Sequence, residues 1–595
     1  MSARFVVGID LGTTHSALAV APLEGTESRV AVLEIEQLVS AGAVGKSALL
    51  PSFLYFAHES EPALALPWDG ERRFAVGEYA RSRGAEAPQR VISSAKSWLS
   101  YGGVDRRVGN LPLHAPEDIE KISPVEASFR LLDHLNEAYR AARPEGGDLA
   151  EQEVVLTVPA SFDAGARDLT VEAALAAGFD QVTLLEEPQA ALYAWIEQNG
   201  EAWRSHLRAG DRVLVVDIGG GTTDFSLIDA LEHDGSLALQ RVAVGDHILL
   251  GGDNMDLALA HVVSQELAAQ GKELDRFQVS ALSHACRAGK EKLLSDASLR
   301  QVAVVLPSRG SQLLGGLIRG ELRREQVEQY LLEGFFPRVA ASETPKARPR
   351  AGLTQVGLPY ASDAAITKHL AAFLARESQP PTAILFNGGV LKAEILRARL
   401  LDTLNAWLAE RGAPAVRVLP GEDLDLAVAR GAAYYGLVRH GRGLRIRGGT
   451  AHAYYVGIES PMPALPGIEP PVLALCVAPF GMEEGSQVAL PAQELYVVVG
   501  EPVTFRFFGS TVRRSDAAGA VLERWRAGEL EELPHIELTL PPAGRAAGDV
   551  VAVHLQASVT AIGTLKLEAI AQAPLSVDER WQIELSVRHG AASGS

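Results

Sequence analysis

Cysteine is nearly absent: Cys286 and Cys476 are the two in 595 residues, far apart and outside any Cys-x-x-Cys. That scarcity argues against a disulfide framework or a thiolate zinc centre and makes a reducing compartment the default. No window approaches the roughly 18 apolar residues that a membrane helix needs. The opening MSARFVVGID reaches an aspartate too soon for a secretion signal, so a cytoplasmic location and no membrane partner are expected. Positive charge is in deficit as well, with 55 Lys and Arg against 74 Asp and Glu, a net charge of −19. Such a surface disfavours nucleic acid as the main partner and still allows a local basic pocket for phosphate. The remaining composition, 47% hydrophobic and 22% charged, is that of a globular chain. At this length one core does not suffice, and three or more structural units are expected.

The most informative stretch is Val213–Asp224, VLVVDIGGGTTD. Its apolar, mostly β-branched start reads as a buried strand that Asp217 closes. Gly219, Gly220 and Gly221 then turn the chain into Thr222, Thr223 and Asp224. Glycines without Cβ let backbone N–H groups close around an anion, and threonine hydroxyls add donors. An aspartate at the strand end can hold a hydrated magnesium ion over that anion. Alone, the stretch fits a plain tight turn equally well. The tie is broken at the N-terminus. FVVGIDLGTTHSALAV repeats strand, aspartate (Asp10), apolar residue, glycine (Gly12), paired threonines (Thr13, Thr14) and returning strand. Two such hairpins point to a duplicated α/β domain, each half giving one phosphate loop to a shared cleft.

Between and after the hairpins, helical spacing predicts a helix over 123–142, opened by a Ser–Pro cap. A strand follows at Glu153–Val158 with Pro159 at its end, then a helix ending near Gly178. VTLLEEPQAALYAWIEQ reads as a strand entering a helix at Pro188. Glu186 and Glu187 sit at that junction, where a carboxylate either favours the helix N-terminus or acts on a water molecule. Lys96 stands among small and apolar neighbours, on residues alone an ordinary surface lysine. Gly251, Gly252 and Asp253 precede a helical run, and Glu321–Phe336 looks helical. Residues 342–349 read as an exposed insertion. A strand at Ala383–Phe386 leads through Asn387, Gly388 and Gly389 to a helix from about Lys392, a generic nucleotide-edge pattern. From about Leu444 short apolar runs separated by Gly, Pro and polar turns predict an antiparallel β-sandwich of about eight strands.

The blocks GIDLGTTHS, LTVPASFD, EEPQAAL, DIGGGTTDFS, LLGGDNMD, NGG and LAVARGAA follow in this order. Together they resemble the ATPase domain of the heat shock protein 70 family, the DnaK-like chaperones of the actin-like ATPase superfamily. The likeness covers the first 440 residues, and the tail is similar, more diffusely, to the family's substrate-binding β-domain. The resemblance implies an actin-like (ribonuclease H-like) ATPase domain over 1–440, a linker at 441–450 and a β-sandwich over 451–590. It implies ATP or ADP and Mg2+ as ligands, the metal held through water by Asp10 and Asp217. Gly12, Thr13, Thr14, Gly219, Gly220, Gly221, Thr222 and Thr223 would clamp phosphates. Glu187 would orient or deprotonate water, and Lys96 would offset charge on the γ-phosphoryl group. Gly251, Gly252, Lys290, Gly388, Gly389 and Lys392 would lie on the adenosine side. Pro159 and Arg167 would relay nucleotide state toward the second domain.

The chain also departs from that family. His15 stands for an asparagine, Arg287 for a ribose-contacting glutamate and Leu294 for a serine. Val390 and Leu391 replace polar residues. Arg439, Arg442, Arg445 and Arg447 occupy the place of the leucine-rich interdomain linker, and no helical lid is read after the β-domain. The leading expectation is a slow ATPase and DnaK-like chaperone that engages polypeptides through a lidless β-domain. The alternative is a nucleotide-gated regulatory module with one dedicated protein partner. A J-domain cochaperone and an exchange factor are possible partners that no residue specifies. A small-molecule kinase is disfavoured by the lack of a sugar-binding segment.

Overall fold

The computed structural model describes residues 3–586 apart from 25–28, 85, 102, 144–146, 234–235, 308–316, 348–356, 422, 443–445, 448–452, 460–471, 483–485, 492–494, 511, 514, 527, 534, 560–563 and 576–578. The chain divides into two compact units. Met1–Ser161, Ala166–Ala238 and Gly245–Arg445 form the first; Phe162–Gly165, Leu239–Val244 and Ile446–Ser595 form the second.

The first unit is built on one sheet plan used twice. Strands β1 (Phe5–Leu11) and β2 (His15–Pro22) form an antiparallel hairpin with Asp10 opposite Ala17. Strand β3 (Glu153–Val158) runs parallel to β1, and β4 (Val182–Glu186) runs parallel to β3. Downstream, β5 (Arg212–Ile218) and β6 (Thr223–His233) form the second hairpin with Asp217 opposite Asp224. Strand β7 (Ala383–Asn387) is parallel to β5, and β8 (Arg417–Val418) is parallel to β7. The orders β4-β3-β1-β2 and β8-β7-β5-β6 are the same arrangement. Val6, Val7 and Ile9 on β1, like Val213–Val216 on β5, are fully buried. A strand covered on both faces needs such an unbroken apolar run.

Helices make up much of the rest of this unit. They include α1 (Ala95–Leu99), α2 (Pro124–Ala142), α3 (Ala164–Ala176), α4 (Glu187–Asn199), α5 (Gly252–Ala269), α6 (Arg276–Ser295), α7 (Glu394–Glu410) and α8 (Ala427–Arg439). Ser123 Oγ accepts the Glu126 amide at 3.0 Å, so the Ser–Pro start of α2 is a true cap. Small residues let α8 approach closely. A Cβ on Gly8 of β1 would strike the α8 backbone at Ala429 and Ala433, and one on Gly431 would strike the α4 backbone at Ala190.

Two expectations need correction. The segment 321–336 is not one helix. Leu317–Arg323 is a strand paired with Gln301–Pro307, and the helix begins only at Arg324. The alternation in LIRGELR, with a period of two, outweighs the helical spacing that starts later. After Gly388 the chain makes a 3-10 turn at Gly389–Lys392, and α7 starts at Glu394. Part of the expected insertion at 342–349 and most of the expected linker at 441–450 lie outside the described residues. Within the latter, Ile446–Arg447 is a short strand parallel to Leu239–Gln240.

The second unit carries antiparallel sheets. One orders Val521–Leu522, Val472–Ala478, Ala453–Glu459, Phe507–Ser510 and Glu531–Glu532. Another orders Gln487–Ala489, Val550–Val559, Thr564–Ala571 and Arg580–Ser586, with Leu495–Val498 also on Val550–Val559. Tyr454, Val456, Leu475 and Val477 of the first pack in one apolar cluster with Ala557, Leu565, Leu567 and Ile583 of the second. Among the described residues no helix is long and apolar enough to cross a membrane.

The α8 contact gives a stability test. Gly431→Ala should destabilise the first unit by about 3 kcal/mol, because the new methyl meets backbone that cannot yield. Exposed Gly334, with open space around it, should tolerate Ala. Equal urea midpoints for the two variants would refute the close approach.

Candidate functional site

Both hairpin loops open into one cleft of about 860 Å³ in the first unit. Asp10, Gly12, Thr13 and Thr14 line it from one loop, and Asp217, Gly219, Gly220 and Thr222 from the other. The loops interlock. A Cβ on Gly220 would collide with the Thr14 methyl, and one on Gly221 with the Thr13 methyl. The carbonyls of Gly219 and Gly220 accept the amides of Gly252 (3.1 Å) and Asp253 (2.7 Å) at the start of α5. The glycine loop is thereby pinned by a helix N-terminus. Gly388 has φ +88, a left-handed backbone that favours glycine, and a side chain there would strike the Ile218 carbonyl.

The duplicated sheets hold the two aspartates in the same way. Thr157 on β3 donates to Asp10 Oδ1 at 3.1 Å, and Asn387 on β7 donates to Asp217 Oδ2 at 2.7 Å. In each half the partner lies on the parallel neighbour of the aspartate's strand. Sequence reasoning passed over both, although Thr157 in LTVPA and Asn387 in FNGG stand inside the quoted blocks. Knowing the parallel pairing would have found them.

Lys96 is no surface lysine. It lies on α1, 6% exposed, with Nζ bonded to Glu187 Oε1 at the start of α4. Burial opposes its charge, but Glu187 and then Asp10 outweigh burial and hold its pKa above the ordinary lysine value. Burial pushes the Asp10 carboxyl up to about 7, with Lys96 pulling against it and Glu187 adding to it. Burial and then Glu187 also drive Asp217 well above the usual carboxylate range, despite the Asn387 hydrogen bond. Three carboxylates thus share one desolvated site with one lysine. Hard oxygen donors crowded with unbalanced negative charge are what a magnesium ion relieves. Among the described residues no group of three or more His, Cys, Asp or Glu is arranged to cage an ion directly. The carboxylate donors Asp10 and Asp217 fit a magnesium ion.

The cleft is also lined by Gly252, Lys290, Gly388, Gly389, Lys392, Arg287, Leu294 and Val390. The charges of this group are already paired. Asp256, 1% exposed, takes Lys290 Nζ at 2.7 Å and Arg287 Nε at 2.8 Å, and Arg287 also binds Asp253. Lys392 pairs with Asp425. His15 lines the cleft beside Arg81, and burial, with Arg81 adding, lowers its pKa to about 3. Three of the expected cleft residues stand back from its wall. Thr223 is fully buried and donates to the Leu250 carbonyl, and Gly251 packs on the Gly219–Gly220 backbone. Gly221 meets Thr13 instead. Pro159 is buried at the end of β3, and Arg167 bonds Glu186 at 3.0 Å with both side chains 2% exposed.

Two facing Asp-x-Gly hairpins on duplicated sheets, closing over a charged cleft, define a nucleotide-site architecture. The profile of the family described as Hsp70 protein matches residues 6–344, more than half of the chain. This chain belongs to the Hsp70 family. It is 32% identical to a chaperone protein HscA homolog of Methylococcus capsulatus, over 54% of this chain and 48% of that protein. Against the HscA homolog of Pseudomonas aeruginosa strain LESB58 the identity is 34%, over 56% and 47%. Against the chaperone protein HscA of Cronobacter sakazakii it is 31%, over 51% and 44%. The matched region spans about half the length of these relatives.

The acidity of the cleft predicts a pH signature. With the Asp10 pKa near 7, protons compete with a cation below that pH and cease to compete above it. Magnesium affinity, measured calorimetrically with ADP present, should fall by up to about tenfold per pH unit below 7. Asp10→Asn should weaken this dependence; a wild-type affinity independent of pH would contradict the assignment.

Proposed function

We propose that this chain is an Hsp70-family chaperone that binds ATP with hydrated magnesium and hydrolyses it slowly in the cytoplasm. Lys96, held by Glu187 between Asp10 and Asp217, is the single observation that carries this reading: a buried cation facing two metal-competent carboxylates. Magnesium, when bound, would offset phosphate charge. The chain's own residues supply the rest. Thr13, Thr14, Thr222 and the backbone of Gly219–Gly221 grip phosphates. Glu187 orients the attacking water, and Lys96 offsets charge developing on the γ-phosphoryl group. We assign residues 1–440 to the ATPase domain and 451–590 to a β-sandwich that engages polypeptide. The antiparallel sheets sharing one core support the latter, as do relatives named as chaperones.

A second reading, one dedicated protein partner, draws on the arginine-rich segment that replaces a leucine-rich linker. Its first arginines are already engaged: Arg439 Nη1 donates to Thr183 Oγ1 at 2.5 Å, and Arg442 Nη2 donates to the Leu23 carbonyl at 2.6 Å. These contacts leave the end of α8 less free to shift with nucleotide.

Lys96→Ala and Thr222→Ala should each lower single-turnover hydrolysis by about 100-fold while sparing ADP affinity. Parallel loss of affinity and rate would make these residues structural to the pocket. Adding a peptide library separates the two readings. Acceleration of turnover by many peptides supports the general chaperone, and a response confined to one co-purifying protein supports the dedicated partner.

A further inference from the structure

Behind the second hairpin lies a polar chain that the cleft chemistry above does not use. Ser161, in the turn after β3, donates its hydroxyl to Asp224 Oδ1 at 2.5 Å and meets His247 Nδ1 at 2.7 Å. The other ring nitrogen, Nε2, stands 3.3 Å from Ser100 Oγ, and Ser100 donates to the Ser97 carbonyl at 2.9 Å. Ser100 caps the C-terminus of α1, the helix that carries Lys96, and Asp224 lies two residues beyond Thr222. The serine–histidine–aspartate set is not arranged for nucleophilic catalysis. The Ser161 hydroxyl sits between imidazole and carboxylate, and the Ser100 proton is directed at backbone.

One imidazole thus links two hydroxyls: Nδ1 meets Ser161, which donates to Asp224, and Nε2 meets Ser100 at the end of α1. Asp224 Oδ1 lies 3.7 Å from Nδ1. Among the described residues, Asp246 and Arg376, paired with each other at 2.8 Å, and His369 line a second cavity of about 380 Å³ together with His247.

We propose that His247 is a positioning residue of the ATPase site: its ring ties the Lys96 helix and the Ser161 turn to the second phosphate hairpin, so that the presentation of Lys96 depends on the His247 hydrogen bonds. This rests on the ATPase reading above for its effect on rate, and stands apart from it for the tether itself.

The test uses full-length wild type, His247→Gln, Ser161→Ala and the double variant. Each single change should slow single-turnover ATP hydrolysis by about tenfold, the loss of one hydrogen bond, with ADP affinity unchanged. The double variant should be no slower than the slower single, since both cut one chain. Additive losses, or affinity falling in step with rate, would overturn the proposal. Hydrogen exchange of residues 95–100 in nucleotide-free protein gives a readout independent of hydrolysis. The variants should exchange about tenfold faster there, and unchanged protection overturns the tether. If wild type releases no phosphate from ATP, the ATPase reading falls, and the exchange result alone decides whether the tether exists.

Discussion

Unbalanced negative charge held away from water is the constraint around which the first unit is built. Asp10, Glu187 and Asp217 share a desolvated space with Lys96 as the close cation. Left to itself such a cluster disfavours folding, since like charges brought out of water repel and cannot be screened. The fold tolerates it because the aspartates close the central strands of two sheets whose remaining residues are apolar and fully packed. Thr157 and Asn387 anchor one oxygen of each aspartate. The site is thus strained electrostatically and supported mechanically.

The sheets can present those carboxylates so close together because backbone approaches backbone at several glycines. Gly8 and Gly431 admit α8 against β1 and α4. Gly220 and Gly221 admit the threonine methyls of the opposing loop. Rigidity follows from the same contacts: the glycine loop, which has no side chains to pack, is held by two α5 amides and by the threonines across the cleft.

The hairpins were legible in the sequence because their signal is local. A buried apolar strand, an acidic residue and a glycine turn lie within twelve residues, and the duplication makes each copy support the other. The Ser123 cap and the helix over 124–142 were legible for the same reason. What the residues alone left open depends on tertiary pairing. Lys96 looks like a surface lysine until α1 is placed opposite Glu187, a partner 91 residues away in sequence. Thr157 and Asn387 gain meaning only through the parallel register beside β1 and β5. The strand at 317–323 was missed because charged residues on its exposed side mask the alternation, while the following helix supplies a stronger pattern.

The replacement of a family glutamate by Arg287 becomes intelligible through the same charge argument. Arg287 and Lys290 together meet Asp253 and Asp256, and Asp256 is almost wholly buried between the two cations. A carboxylate at 287 would add a third negative charge beside two others, with Lys290 as the cation left to face them. Arginine instead balances the group and gives Asp256 a directional partner. Arg287, Lys290, Asp253 and Asp256 therefore balance one another, whereas Asp10, Glu187 and Asp217 outnumber Lys96, and it is this second group that shares the cleft wall with the glycine loop and the paired threonines.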